Sequence, residues 1–422
     1  MPRRAFHLAR MLRNERRKPE SLEAEQSRLL RALVRHASER VPLYRKLYAA
    51  EGIDVMRFRG LEDLVRLPVI DKAVILAGGI DAESVDAPRN GIFIRTSGSG
   101  GPAFSFRIDR DFDRWRKAQY LRPYLTNGRR LTDRVFRLTA ASASPSPWFS
   151  RLGLLRESRF DCDTGPAQMV DRWRSLGPDV LQGYPSSLLS LAKYCLDSNV
   201  RLSPAPRLVF SDSELLLPEV RRRLEAAFGT KVIDVFGTYE TDNIAYQCER
   251  GGGYHIALDS VVLEVMREGK PVPAGETGEL VVTVLRNRTT PLLRYNLHDR
   301  AALDPEPCSC GRTFPLLRIL EGRSHDQLRD AAGRERSPMG LLVPLSLLDE
   351  ELSEYRVEQM AVDRLRVTIV LGARSDADTP LFVEKLVAEK VPWAKVEVAV
   401  VPNIPRDPSG KLAHFRSRLD RG

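Results

Sequence analysis

The chain has no apolar run near the roughly 18–20 residues that span a bilayer, so a membrane-crossing helix is not expected. Residues 1–20 are basic and lack the apolar stretch of a secretory signal; the expectation is a solvated N-terminal helix and a cytoplasmic location. Five cysteines in 422 residues, Cys162, Cys195, Cys248, Cys308 and Cys310, are too few for a disulfide scaffold. Internal repeats and low-complexity tracts are missing. The net charge is +10, but the arginines are spread along the chain. No basic run is interleaved with aromatic residues, which argues against a nucleic-acid partner. A diffuse positive field suits small anionic ligands instead.

The length exceeds one compact domain, so two or three subdomains are expected, and the 42% hydrophobic content is enough for a sizeable core. Residues 20–50 read as one helix, with Leu29, Leu30, Leu33, Val34 and Ala37 on one face. Strands are expected at 92–94, 104–108, 207–211 and 231–236, and a short strand and turn at 180–185. Helices are expected at 111–125, 186–196 and 218–228, the last stopped by Gly229. Residues 140–150 read as a loop. Strands alternating with helices imply an α/β fold with open sheets, whose ligands sit at the carboxyl ends of strands. Residues 261–285 shift to short alternating strands, a small β-rich region. Residues 323–329 are polar and irregular, and the chain beyond them reads as a small α+β unit. The expected division is 1–322 as a large N-terminal α/β domain, 323–326 as a hinge, and 327–422 as a mobile C-terminal domain.

Arg95-Thr96-Ser97-Gly98-Ser99-Gly100-Gly101-Pro102 directly follows a strand-like segment. Glycines let the backbone turn tightly and several N–H groups converge, while the hydroxyls add donors; such a loop suits a triphosphate. It lacks both the dinucleotide GxGxxG pattern and the Gly-Lys-Ser/Thr ending of the common P-loop. Read alone, it is equally an ordinary Ser/Gly turn. At the far end, Ile404-Pro405-Arg406-Asp407-Pro408-Ser409-Gly410-Lys411 presents one lysine, a compact and mobile cation. Between them lie Phe236-Gly237-Thr238-Tyr239-Glu240, Gly275-Glu276-Thr277-Gly278-Glu279-Leu280, Arg294-Tyr295-Asn296-Leu297-His298-Asp299 and Glu321-Gly322-Arg323.

In that order and spacing, these segments resemble the adenylate-forming superfamily of acyl-CoA synthetases, and within it the phenylacetate–CoA ligase and coenzyme F390 synthetase-like family. The resemblance covers nearly the whole chain, including Val41-Pro42-Leu43-Tyr44-Arg45 and Leu67-Pro68-Val69-Ile70-Asp71-Lys72. It implies that ATP and a carboxylic acid form an acyl-adenylate with release of pyrophosphate, and that the acyl group then passes to coenzyme A. The enzyme would be an AMP-forming acid–thiol ligase, a monomer or homodimer without a membrane partner.

The resemblance carries over residue by residue. Thr96, Ser97, Gly98, Ser99, Gly100 and Gly101 would bind the β- and γ-phosphates, although the loop is one residue shorter than the common pattern and has no lysine. Glu240 would hold Mg²⁺, a hard cation that takes oxygen ligands. Phe236 and Gly237 fall at the adenine. Asp299 would bind both ribose hydroxyls, with His298 where a glycine is usual, and a merely packed histidine is the simpler reading there. Arg323 would contact ribose or phosphate, and Asp326 would be the hinge. Ser211-Asp212-Ser213-Glu214 takes the place of a Gly-rich adenine-contacting segment but diverges from it. Lys411 would bridge the carboxylate and ATP and leave when the C-terminal domain rotates. Tyr184, Phe210, Thr238 and Tyr239 would line the acyl pocket, suited to an aryl or arylacetic acid, though these positions suit a core equally well.

Cys248 and His255, with Cys308 and Cys310 in a Cys-Ser-Cys-Gly-Arg turn, make a three-thiolate, one-imidazole set suited to structural Zn²⁺. Cys-x-Cys is less diagnostic than Cys-x-x-Cys. The family resemblance includes ligands at these places. Other readings stay open: an amide or ester synthetase with an amine or alcohol acceptor, a ligase loading a carrier protein, a non-catalytic adenylate-binding protein, and a basic nucleic-acid protein.

Overall fold

The computed structural model describes residues 2–95, 105–139, 148–162, 164–323, 328–336, 338–348, 350–406 and 411–419. The phosphate-loop candidates Thr96 to Gly101 and the hinge candidate Asp326 lie outside them. The chain forms two compact units, Met1–Arg129 with Ile233–Leu320, and Arg130–Val232 with Glu321–Gly422.

The first unit opens with α1 (Pro2–Asn14), α2 (Pro19–Arg40) and α3 (Pro42–Ala50). The single helix expected over 20–50 is therefore two. Proline at 42 has no N–H to continue the ladder and holds Val41 extended, at φ −119° and ψ 108°. The same proline then serves as a preorganised first residue for α3. The expected stripe of α2 faces inward, with Leu30, Leu33, Val34 and Ala37 buried. Nor is α1 simply solvated. Met11 and Asn14 are wholly buried, and the Asn14 amide donates to Asp259 Oδ2 at 2.8 Å. A helix can bury one stripe while its arginines stay in water.

After α4 (Lys72–Gly78), β1 (Ile92–Arg95) and β2 (Ser105–Ile108) pair antiparallel, and α5 (Arg110–Thr126) follows. The Asp109 carboxylate accepts the N–H groups of Asp111 and Phe112 and so caps α5. In the second unit, β3 (Arg134–Thr139), β4 (Arg156–Asp161), β5 (Val180–Gly183) and β6 (Leu208–Asp212) run parallel in the order β6-β5-β3-β4. The connecting helices α6 (Pro166–Leu176), α7 (Pro185–Asp197) and α8 (Pro218–Phe228) each begin on proline. Gly229 ends α8 at φ 69°, the left-handed conformation that glycine adopts without strain. The end of the stretch expected as loop is a short 3-10 turn, Trp148–Leu152.

The remaining strands of the first unit are β7 (Val232–Thr238), β8 (Asp242–Tyr246), β9 (Tyr254–Ile256), β10 (Val261–Arg267), β11 (Lys270–Pro271), β12 (Thr277–Val284), β13 (Tyr295–Leu303) and β14 (Leu316–Arg323). Their order is β11-β10-β12-β13-β14-β9-β8-β7. This is the expected β-rich region, extended on both sides. Its core includes Trp115, Phe106, Leu280 and Val282. Arg122 and Asp259, both without solvent exposure, form an ion pair at 2.7 Å within it.

The second unit ends in an α+β lobe: the short strands β15 (Leu328–Arg329) and β16 (Glu335–Arg336), α9 (Met339–Leu347), β17 (Leu352–Ala361), β18 (Arg364–Leu371), α10 (Thr379–Lys390), β19 (Lys395–Val400) and β20 (Phe415–Ser417). The sheet order is β19-β18-β17-β20. One apolar core joins Leu188, Leu191, Leu224 and Phe228 to Leu341, Leu345, Val357 and Val367 of this lobe. Among the described residues no helix is long and apolar enough to cross a membrane.

Candidate active site and cysteine–histidine cluster

At the carboxyl end of β7 the pairing with β8 slips by one residue between Phe236 and Gly237. A Cβ at Gly237 would lie 2.1 Å from the Asp242 carbonyl oxygen, so the bulge closes only around glycine. The turn beyond is tied by Thr238 and Thr241. Each hydroxyl accepts the other residue's N–H at 3.3 Å. From α5, Arg116 pairs with Asp242 at 3.3 Å and Gln119 donates to the Asn243 carbonyl at 2.7 Å. The fastened turn leaves Tyr239 exposed and Glu240 partly exposed. Phe236, Gly237 and Thr238 also stay half-buried, while the strand before them is buried. A carboxylate held at the rim of a rigid turn can meet a hydrated cation without first losing its own water.

Asp299 lies on β13, half-buried, next to His298. His298 adopts φ 58°, strained for a side chain with a Cβ. The Asn296 side chain supports that kink by accepting the His298 N–H at 2.8 Å and donating to Glu279 at 2.7 Å. The imidazole is not simply packed. Its Nδ1 lies 3.9 Å from Glu279 and its Nε2 3.8 Å from Asp71. Glu279 raises the His298 pKa, Asp71 and Asp299 add to the effect, and burial opposes it. The backbone of Arg323 forms the last residue of β14.

In the second unit, Tyr184 precedes α7 and its hydroxyl lies 3.3 Å from that of Thr139. Phe210, on β6, is fully buried. Lys411 is described, half-buried, just before Leu412. The sequence motifs do not point to two further side-chain contacts in this unit. The Glu214 carboxylate accepts the Leu412 N–H at 3.0 Å and the Ser186 N–H at 2.9 Å. Lys193 donates to the Leu352 and Ser353 carbonyls at 2.7 and 2.9 Å. The divergent Ser211–Glu214 segment was the one signal for the first of these contacts. Nothing in the sequence marked the second.

Cys248, His255, Cys308 and Cys310 converge in the first unit, with ligand atoms all within 4.8 Å of one another. Cys248 follows β8, and His255 sits on β9 opposite Tyr246 of β8 and Leu316 of β14. Sheet register therefore brings the early pair to the Cys308–Cys310 turn. His255 Nδ1 meets the Phe314 carbonyl at 3.3 Å, which makes that nitrogen the donor and leaves the Nε2 lone pair facing Cys310 Sγ at 3.4 Å. Burial, with Arg312, lowers the His255 pKa to about 4, so the ring is neutral at pH 7. Burial pushes the Cys248 thiol up to about 11. At Cys310 burial acts the same way, but the backbone N–H and guanidinium of Arg312 outweigh it and lower the pKa. Arg312 is itself held by Glu15 at 2.9 Å. Three sulfurs and one unprotonated imidazole nitrogen, backed by a cation, are the donor types that could hold a four-coordinate metal ion.

No protein-family model matches the chain. Among curated proteins it is 27% identical to a phenylacetate-coenzyme A ligase of Thermus thermophilus over 343 residues, 73% of this chain and 72% of that one. It is 28% identical to a phenylacetate-coenzyme A ligase of Pseudomonas putida over 332 residues, again 73% and 72%. Among solved structures, 2-hydroxyisobutyryl-CoA ligase in the postadenylation state with 2-HIB-AMP superposes with a TM-score of 0.79 at 23% identity, covering 97% of this chain and 92% of that one. The chain is thus a relative of the phenylacetate-coenzyme A ligases and shares the fold of the adenylate-forming enzymes.

Proposed function

We propose that this protein activates a carboxylic acid with ATP as an acyl-adenylate and transfers the acyl group to coenzyme A. A carboxylate oxygen attacks the α-phosphorus and the bond to pyrophosphate breaks. The coenzyme A sulfur then attacks the acyl carbon, the carbon–oxygen bond to AMP breaks, and the thiol proton passes to solvent. Two anions must be brought together while water is excluded, which calls for backbone donors, a divalent cation and a mobile lysine. The observation carrying this reading is the likeness to phenylacetate-coenzyme A ligases over 73% of the chain.

In this reading Glu240 holds Mg²⁺ from its fixed turn, and Phe236 and Gly237 border the adenine. Asp299 and Arg323 bind the ribose side of the nucleotide, and Thr96 to Gly101 bind the phosphates. Lys411 bridges the two substrates. Tyr184, Phe210, Thr238 and Tyr239 form the acyl pocket for an aryl or arylacetic acid. Residues 327–422 act as the mobile domain on a hinge at Asp326. The cluster of Cys248, His255, Cys308 and Cys310 takes Zn²⁺ in a structural role, since no ligand position is left open for substrate.

The test is pyrophosphate release from ATP with phenylacetate, benzoate, anthranilate and 2-hydroxyisobutyrate, followed by product mass with coenzyme A. Acid-dependent release and a coenzyme A thioester support the reading. An amide, an ester or a carrier-bound acyl group as the sole product would replace the acceptor. No release with any acid would overturn the reading.

A further inference from the structure

The chain on either side of Lys411 is fastened to one place, the start of α7. Glu214 follows β6 through Ser213, which adopts φ 71°. Its Oε2 accepts the Ser186 N–H at 2.9 Å, and its Oε1 accepts both the Ser186 hydroxyl at 3.0 Å and the Leu412 N–H at 3.0 Å. The Ser186 hydroxyl oxygen in turn accepts from Arg406 Nη1 at 2.9 Å, and Arg406 Nη2 donates to Glu354 at 2.9 Å. Residues 406 and 412 are thus both held by the Ser186–Glu214 pair, with the lysine between them. Burial raises the Glu214 carboxyl, against the pull of these donors.

We propose that Glu214 is a positioning residue for Lys411, a carboxylate latch that holds the lysine loop in place for formation of the acyl-adenylate. The inference rests on the acid-activation reading. A backbone N–H one residue from the lysine, held by a charged acceptor, fixes where the lysine's own backbone runs. Hydrogen bonds to a charged group are stronger than neutral ones, yet each partner regains water when the contact opens. Such a contact orients firmly and still lets go. The latch also accounts for the departure at Ser211–Glu214. The carboxylate there turns to Ser186 and Leu412.

The test separates the two half-reactions in Glu214→Gln, which keeps the side chain's size but presents one acceptor oxygen in place of two. Pyrophosphate release with ATP and the acid chosen by the panel should fall roughly tenfold or more, the loss expected for a charge-assisted hydrogen bond. Thioester formation from the synthetic acyl-adenylate and coenzyme A should stay within about twofold, because Lys411 serves only the first step. Hydrogen exchange at the Leu412 amide should be slow in the wild-type protein and faster in the variant. A parallel fall in both half-reactions, no fall in either, or unchanged exchange at Leu412 would overturn the proposal. Exchange needs no turnover, so it decides the latch even if no acid yields pyrophosphate, an outcome that would sink the acid-activation reading alone.

Discussion

Cys248 Sγ lies 3.7 Å from Cys308 Sγ, although sixty residues separate them in the chain. Two thiols this close and unbonded fit neighbouring vertices of one metal tetrahedron. Protein purified without chelators should contain about one zinc per chain. Cys308→Ser and Cys310→Ser should each lose the metal and lower unfolding stability by several kcal/mol, because binding free energy at such a site is folding free energy. Elemental analysis that finds no zinc in the wild-type protein would refute the assignment.

Lys411→Ala should cut acid-dependent pyrophosphate release by orders of magnitude, since the cation that joins two anions is lost. Far-UV circular dichroism should be unchanged, because the residue is only half-buried. Unchanged ATP–pyrophosphate exchange with the cognate acid would remove Lys411 from the site.

Gly237→Ala tests the turn that presents Glu240. The added methyl would meet the Asp242 carbonyl oxygen at 2.1 Å, so the backbone must move. The expected stability loss is about 1–3 kcal/mol. Adenylation should fall more than that strain alone explains, because Phe236 and Glu240 are displaced together. Wild-type kcat and KM for ATP in this variant would show that the bulge does not shape the site.

Lys193 predicts a pH dependence. Burial, with Arg223 adding, lowers its pKa to about 8 from the ordinary 10.5. Between those values the unfolded chain binds more protons than the folded one, so stability due to this lysine rises with pH. Below about 8 the folded chain carries the full cost of the partly buried charge. Urea unfolding of the wild-type protein and Lys193→Met at pH 7, 8, 9 and 10 gives the difference free of other groups. That difference should move in the wild-type protein's favour by on the order of 1–3 kcal/mol across the range. A flat difference would mean that the ammonium stays charged.

Local pattern determined much of this protein. The apolar stripe of α2, the stop of α8 at Gly229 and the strand leading to Phe236-Gly237 were all readable, because each depends on residues within a few positions. So was the likeness to the ligase family, since its motifs are short and ordered. The break at Pro42 was readable in principle, yet the apolar period on both sides concealed it. Tertiary structure alone decided what depends on partners far along the chain. Sheet register brings Cys248 and His255 to Cys308 and Cys310. Glu279 and Asp71, from two separate segments, flank the His298 ring. Asn14 is buried because Asp259 waits for it, and Glu214 meets Leu412 across 198 positions. A polar side chain carries no periodic signal of its own. Whether it faces water, a metal or a distant N–H is settled only when the fold supplies the partner that offsets its desolvation.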